Sequence, residues 1–387
     1  MRRAVWVWVV VAWMAAAGGA TAQGLSGRLA ALLQDELLET SQLGLCVYDL
    51  TADTTLFSVN ARQRMRPAST EKLVTAVAAL SELGTGHRFD TRLFFTGEVK
   101  DGVLQGGLYA VGGFDPCLGT GDLRALADAV AGMGVDSVAG GLWADVSMKD
   151  TLRWGWGWCW DDDMPVLTPL TCEGEDRFLK AWAGALRARG IGCRPAGVAR
   201  CPDGAVWLAR CGHTLADVLP RMLKESDNLY AEAVFYQLAA LSGKPYASRE
   251  EALYAIERLI ARAGHDPGRY LVADGSGVSL YNYLSAELEV AILRLAYRDE
   301  AVFPALYAAL PVAGIDGTLR RRMRGGKTQG NVRAKTGTLE GVSTLAGYAT
   351  AADGHLLAFC ILNQGVADKR AAQAFQDRVC ELLCGAP

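Results

Sequence analysis

Three short clusters hold the residue types that nucleophilic catalysis needs. The first is Ser69-Thr70-Glu71-Lys72. Side chains three apart on a helix share a face, so Ser69 and Lys72 would point the same way. A serine at a helix N-terminus sits among free backbone N–H groups and the positive end of the dipole, both of which favour a developing oxyanion. A lysine buried beside it loses stability as an ammonium, its pKa falls, and it can then take the serine proton. The second cluster is Ser226-Asp227-Asn228, whose side chains compete with backbone hydrogen bonds and suit a turn between helices. There a hydroxyl could relay a proton and an amide could hold a substrate amide. The third is Lys335-Thr336-Gly337-Thr338, placed at or just before a strand over 342–350, with room for a loop between. A strand edge pairs with an extended peptide, a lysine supplies a cation for a terminal carboxylate, and Gly337 permits close approach. Each cluster alone also has an ordinary reading: an N-cap serine with a solvated lysine, a helix-loop-helix turn, and a charged edge residue that blocks aggregation.

The surrounding pattern supplies elements to carry them. Helical periodicity runs over 25–39, and 43–50 is an apolar, β-rich central strand. A helix over 70–83 is entered from Pro67-Ala68-Ser69. From about 91 the texture changes to short strands, Gly/Asp turns and a helix near 122–133. A helix at 175–189 and a loop-rich stretch to about 211 follow. Helical pattern returns over 214–242, broken at 226–228, then over 249–264. Two strands, 342–350 and 355–363, flank the Asp353-Gly354 turn and form a hairpin. A last helix covers 368–384. Helices and strands at both ends bracket a β-rich middle. The expected architecture is therefore one α+β domain interrupted by an insertion: 23–90 with 206–387, and 91–205 between them.

Composition removes whole classes of function. The chain has 387 residues, 51% hydrophobic and 21% charged, with a formal net charge of -3. Disorder would need more charge and less apolar material, and no basic excess exists to bind nucleic acid. Residues 1–22 read as a secretory signal peptide: Arg2 and Arg3, an apolar run to Ala17, then Ala20-Thr21-Ala22. The run is too short to span a bilayer comfortably, and no later stretch is a membrane span. Export permits disulfides among the ten cysteines. A bridge is plausible among Cys193, Cys201 and Cys211, whereas Cys46 and Cys360 fall within buried strands. Cys380 and Cys384 share one helix face in poor geometry for pairing. No C-x-x-C occurs and His87, His213, His265 and His355 stand apart, so no zinc pattern is present. None of these histidines sits in a recognisable triad motif either. The tryptophans of 143–160 are expected to pack rather than to stack on a ligand.

Taken in order, S-x-x-K, S-D-N and K-T-G form the set shared by class A β-lactamases and penicillin-binding proteins. Further segments narrow the likeness. Gly112-Gly113-Phe114-Asp115-Pro116, Trp158-Cys159-Trp160-Asp161-Asp162, Asp274-Gly275-Ser276-Gly277-Val278-Ser279 and Leu310-Pro311-Val312-Ala313-Gly314 with Asp316-Gly317-Thr318-Leu319 resemble stretches of one family. It is that of the class C, low-molecular-mass penicillin-binding proteins, the D-alanyl-D-alanine carboxypeptidases/endopeptidases. The resemblance spans about 40 to 380. Phe114 departs from it, standing where the family has Gly, and the region between Lys72 and Ser226 is shortened, which implies one inserted domain kept and a second lost.

The resemblance implies a β-lactamase/transpeptidase-like domain, an antiparallel sheet flanked by helices, with a smaller β-rich α/β insertion. It implies a periplasmic serine D-Ala-D-Ala carboxypeptidase, with endopeptidase activity as a second capacity, acting on peptidoglycan stem peptides and muropeptides and acylated by β-lactams. The mature protein would be soluble or loosely membrane-associated. Ser69 would be the nucleophile and Lys72 its base. Ser226 would pass a proton to the leaving amine with Lys335 tuning it, and Asn228 would hold Lys72 and the substrate amide. The backbone N–H groups of Ser69 and Thr338 would form the oxyanion hole. Lys335, Thr336, Gly337 and Thr338 would bind the substrate. Asp274 is placed with the substrate-binding residues, support from beneath the site being its other reading. No metal or cofactor is implied. A serine β-lactamase or related esterase shares the three clusters, and a wall-binding protein with a decayed site is the non-enzymatic alternative.

Overall fold

The computed structural model describes residues 24–162 and 164–385; the signal-peptide expectation for 1–22 lies outside them. Two separate five-stranded sheets organise the chain. The first contains β1 (Gln42–Asp49) and β2 (Thr54–Val59) from the N-terminal part, and β11 (Arg333–Leu339), β12 (Val342–Thr350) and β13 (Leu356–Gln364) from the C-terminal part. Their order is β11-β12-β13-β1-β2, with every neighbour antiparallel. Successive side chains on a strand point to opposite faces. In β1, Leu45 and Val47 enter one core while Cys46 and Tyr48 enter another. β13 divides the same way, with Phe359 and Ile361 opposed to Cys360 and Leu362. Both faces are covered, which is why these strands read as unbroken apolar runs.

The first face packs against a helix at 24–31 and the C-terminal helix Lys369–Gly385, through Leu25, Leu29, Phe375 and Val379. The opposite face carries a larger helical layer. It includes Glu71–Leu83, Leu215–Lys224, Asn228–Ala240, Arg249–Arg262 and Ala286–Tyr297. Asn228–Ala240 is buried nearly all round, as befits a central helix.

The second sheet is built from β3 (Arg88–Phe95), β6 (Leu108–Val111), β8 (Leu142–Asp145), β9 (Pro195–Val198) and β10 (Val206–Thr214), ordered β10-β3-β6-β8-β9. A three-stranded sheet of β4 (Val99–Lys100), β5 (Val103–Leu104) and β7 (Ser137–Val138) lies beside it in sequence. Helices Thr120–Ala131 and Phe178–Arg187 join a third core, centred on Trp182. The strands of this region occupy 88–214, wider than 91–205 at both ends. The reason is β10, which pairs along its length with β3 and closes the sheet that β3 opens.

Phe114 adopts the left-handed region at φ 53. Its buried ring stacks on Tyr236 with centroids 6.0 Å apart, so aromatic burial offsets the backbone cost. All ten cysteines are free thiols, and the bridge considered among Cys193, Cys201 and Cys211 is not formed. Cys211 lies on β10 within the sheet, while Cys201 precedes it in a loop. Cys46 and Cys360 face each other in the β1–β13 register.

Candidate active site

Ser69 sits in a 3₁₀ turn, Ala68–Thr70, that runs directly into the helix Glu71–Leu83. Ala68 holds the left-handed region at φ 48, a strained conformation for a residue with a side chain. The turn is wedged between two glycines. A Cβ on Gly277 would lie 1.9 Å from the Ala68 carbonyl oxygen, and one on Gly337 would lie 2.9 Å from the Ser69 nitrogen. These two approaches explain why the DGSG and KTG segments need glycine at those points.

Lys72 is fully buried. Its Nζ lies 3.0 Å from Ser69 Oγ, 2.8 Å from Asn228 Oδ1 and 2.7 Å from the Ser276 carbonyl oxygen. Burial pushes its pKa down from 10.5 to about 8, although Asp274 and Glu232 oppose the fall. A neutral amine has two hydrogens and one lone pair. The two carbonyl acceptors take the hydrogens, which leaves the lone pair facing the Ser69 hydroxyl.

Ser226 and Asn228 come from the break between Leu215–Lys224 and Asn228–Ala240. Ser226 is left-handed at φ 61, and Asp227 caps the second helix by accepting from the Tyr230 amide. Lys335 is fully buried on β11 and donates to Ser226 Oγ at 2.8 Å and to the Thr336 carbonyl oxygen at 2.7 Å. Burial, then the neighbouring Lys72, drives its pKa well below the usual lysine range.

β11 itself differs from expectation. Lys335-Thr336-Gly337 was placed ahead of the strand at 342–350, yet it lies inside a strand of its own, joined to β12 through a short turn. β11 is the sheet's edge. Its first half is covered by 311–313, through Ala313 N to Val332 O and Ala334 N to Pro311 O. Thr336 to Thr338 lie beyond that cover, and Thr338 is exposed. The open part of the edge is thus the part beside Ser69.

The structure brings together Ser69, Lys72, Ser226, Asn228, Lys335, Thr336, Gly337 and Thr338. It sets Asp274 apart from them. That carboxylate is buried and accepts four bonds from the protein: Trp158 Nε1 at 2.7 Å, and Gly277 N, Ser279 N and Asn282 Nδ2 at 2.8 Å each. Its bonds to the Gly277 and Ser279 amides hold the loop whose Ser276 carbonyl accepts from Lys72, and both of its oxygens already have protein donors. Trp158 serves the same loop, so one tryptophan of the cluster is accounted for.

Several contributors escaped sequence reasoning. The Ser276 carbonyl is a backbone group and leaves no trace in residue type. Thr318 Oγ1 bonds Thr336 Oγ1 at 2.8 Å, and Thr344 Oγ1 donates to Pro67 O at 2.7 Å, bracing the nucleophile turn from β12. Thr318 lay within a segment read only for its family likeness. Glu71 and Glu232 are buried and act on Lys72, and buried Glu289 accepts from Thr70 Oγ1 at 2.9 Å. Burial raises each carboxyl above the usual range, Glu232 to about 8 and Glu289 to about 7.

Comparison with known proteins places the chain in a family. The model of the D-Ala-D-Ala carboxypeptidase 3 (S13) family matches residues 25–172 and 172–384. A D-alanyl-D-alanine carboxypeptidase of Actinomadura sp. strain R39 is 28% identical, over 91% of this chain and 83% of its own. Carboxypeptidase DacB of Mycolicibacterium smegmatis is 30% identical, over 95% and 86%. In three dimensions the chain resembles penicillin-binding protein 4 (dacB) from Haemophilus influenzae. The TM-score is 0.83 at 24% identity, covering 91% of this chain and 98% of that one. The same protein is known complexed with a β-lactam.

Proposed function

The chain belongs to the D-Ala-D-Ala carboxypeptidase 3 (S13) family and is a serine carboxypeptidase of that kind; we propose that Ser69 is its nucleophile and Lys72 the base that activates it. The observation that carries this is the placement of Lys72 Nζ, with two carbonyl acceptors and one serine hydroxyl around it. Ser69 Oγ attacks the carbonyl of the penultimate D-Ala as its proton passes to Lys72. The new oxyanion is held by the Ser69 and Thr338 amides, a reading supported by the close approach of Gly337 to the Ser69 nitrogen.

Ser226, bonded to Lys335, delivers a proton to the departing D-Ala amine. The acyl-serine is then hydrolysed by water. A stem peptide lies as an added strand along the open edge of β11, its terminal carboxylate against Lys335, Thr336 and Thr338. A longer chain on the leaving side would make the same step an endopeptidase cleavage of a muropeptide. A β-lactam carries an equivalent carboxylate and acylates the same serine. The reaction takes place in the periplasm after removal of residues 1–22. No helix among the described residues is long and apolar enough to cross a membrane.

Incubation with a fluorescent penicillin followed by denaturing electrophoresis tests the assignment. Wild type is expected to label covalently, and Ser69→Ala to lose the label. An unlabelled wild type would overturn the acyl-enzyme, and an equally labelled Ser69→Ala would overturn the nucleophile.

A further inference from the structure

The topology joins three metal-binding side chains that sequence spacing keeps far apart. Asp115 and Cys117 follow β6 in the inserted region, and His213 lies almost a hundred residues later near the end of β10. One donor atom from each lies within 4.8 Å of the other two. Asp115 is buried, with Oδ1 accepting from the Cys117 amide at 2.9 Å and Oδ2 at 2.8 Å from His213 Nδ1. One oxygen thus fixes the loop, and the other is aimed at the imidazole. His213 and Cys117 are half-buried, so water can reach the cluster.

We propose that Asp115, Cys117 and His213 bind one divalent cation of the zinc class, with water as the fourth ligand. Thiolate, imidazole and carboxylate are the donors zinc takes, at about 2.3, 2.0 and 2.0 Å. Donor atoms of a tetrahedral zinc centre sit roughly 3.3–3.7 Å apart. The His213–Asp115 pair, at 2.8 Å, must therefore open by about half an ångström. Asp122 and Asp217 both act on His213 and add negative charge around the cluster. Binding forms the sulfur–metal bond and releases the thiol proton to solvent.

The location gives the cation a role. Asp115 and Cys117 belong to the inserted region. His213 immediately precedes Thr214, the cap of the catalytic helix Leu215–Lys224. Cys117 also lies beside Tyr230, two residues along the helix from Asn228. A metal here would clasp the insertion where β10 runs into Leu215–Lys224 and where Cys117 packs beside Tyr230 of the helix that carries Asn228.

The reduced, chelator-treated protein is titrated with cobalt(II), a coloured substitute for zinc. A thiolate-to-cobalt absorption band that saturates at one equivalent, and that zinc abolishes, is expected. Cys117→Ala should remove the band. His213→Gln, which can still bond Asp115, should weaken zinc binding by at least about tenfold. Penicillin labelling reports whether each variant is folded. On wild type, zinc should protect Cys117 from alkylation, read by peptide mass spectrometry, and leave Cys193 and Cys201 unprotected. No band at millimolar cobalt, a band that survives in Cys117→Ala, or a Cys117 alkylated equally with and without zinc would each overturn the site.

Discussion

A buried amine with two carbonyl neighbours has its protonation state written into its surroundings, and Lys72 is that amine. Below its folded pKa of about 8 it is an ammonium and cannot take a proton; above it the lone pair is free. The rate of acylation by a penicillin is therefore expected to rise with pH, with a midpoint near 8 and a plateau above. A midpoint at or above about 10, where a lysine in water titrates, would show that burial does not tune the base. Asp274 gives a second test at this scale. Its negative charge favours the Lys72 ammonium, and its oxygens hold the loop that bonds Lys72. Asp274→Asn should slow acylation and also move the midpoint to lower pH. A slower enzyme with an unmoved midpoint would reduce Asp274 to a purely structural part.

At the scale of elements, the site depends on how closely β11 approaches the nucleophile turn. A methyl group at 337 would meet Thr344 Oγ1 at 2.1 Å and the Pro67 carbonyl oxygen at 2.8 Å. Two of its three neighbours are backbone atoms, so the strand must retreat. Gly337→Ala is expected to lower the acylation rate at least about a hundredfold, the effect of losing one oxyanion donor. The melting temperature should move little, because the sheet's cores are untouched. Near-normal acylation in this variant would mean that the strand has slack. β11 is also where sequence reading fell short. Arg333–Leu339 carries arginine, lysine, two threonines and a glycine, and nothing in it alternates like a half-buried strand. Its strand state comes from pairing with β12, the next strand along the chain, and from the nucleophile turn on its other side, which is distant in sequence. β1, β12 and β13 were legible because burial on both faces selects continuous apolar runs. The helix Ala286–Tyr297 went unread although Ser285 caps it through the Leu288 amide. The side chains gathered around Ser69 were legible because their types are rare in combination. The carbonyl of Ser276 was not, since any residue supplies one.

At the scale of the whole molecule, the central strand, β13, comes from the end of the chain and its neighbour β1 from the start. β1 is hydrogen-bonded to β13 from Gln42↔Gln364 to Asp49↔Leu357. A chain ending at 355 would lose β13 and the C-terminal helix. β12 would then lose one neighbour, and the β1–β2 hairpin would be separated from the rest of the sheet. Such a fragment is expected to be degraded by limited proteolysis and to take no penicillin label. A soluble fragment that labels would show that the sheet tolerates a gap at its centre. The same pairing makes folding wait on contacts of very long sequence separation, which close slowly.

That wait imposes an order in time. Ser69 is made early, but its oxyanion partner and Lys335 arrive only after most of the polypeptide has been synthesised. β1 stays without its β13 partner until residue 364 is available. A chain threaded through a membrane from its N-terminus would carry a harmless serine for nearly the whole passage. Hydrolytic power would switch on only once the sheet had closed.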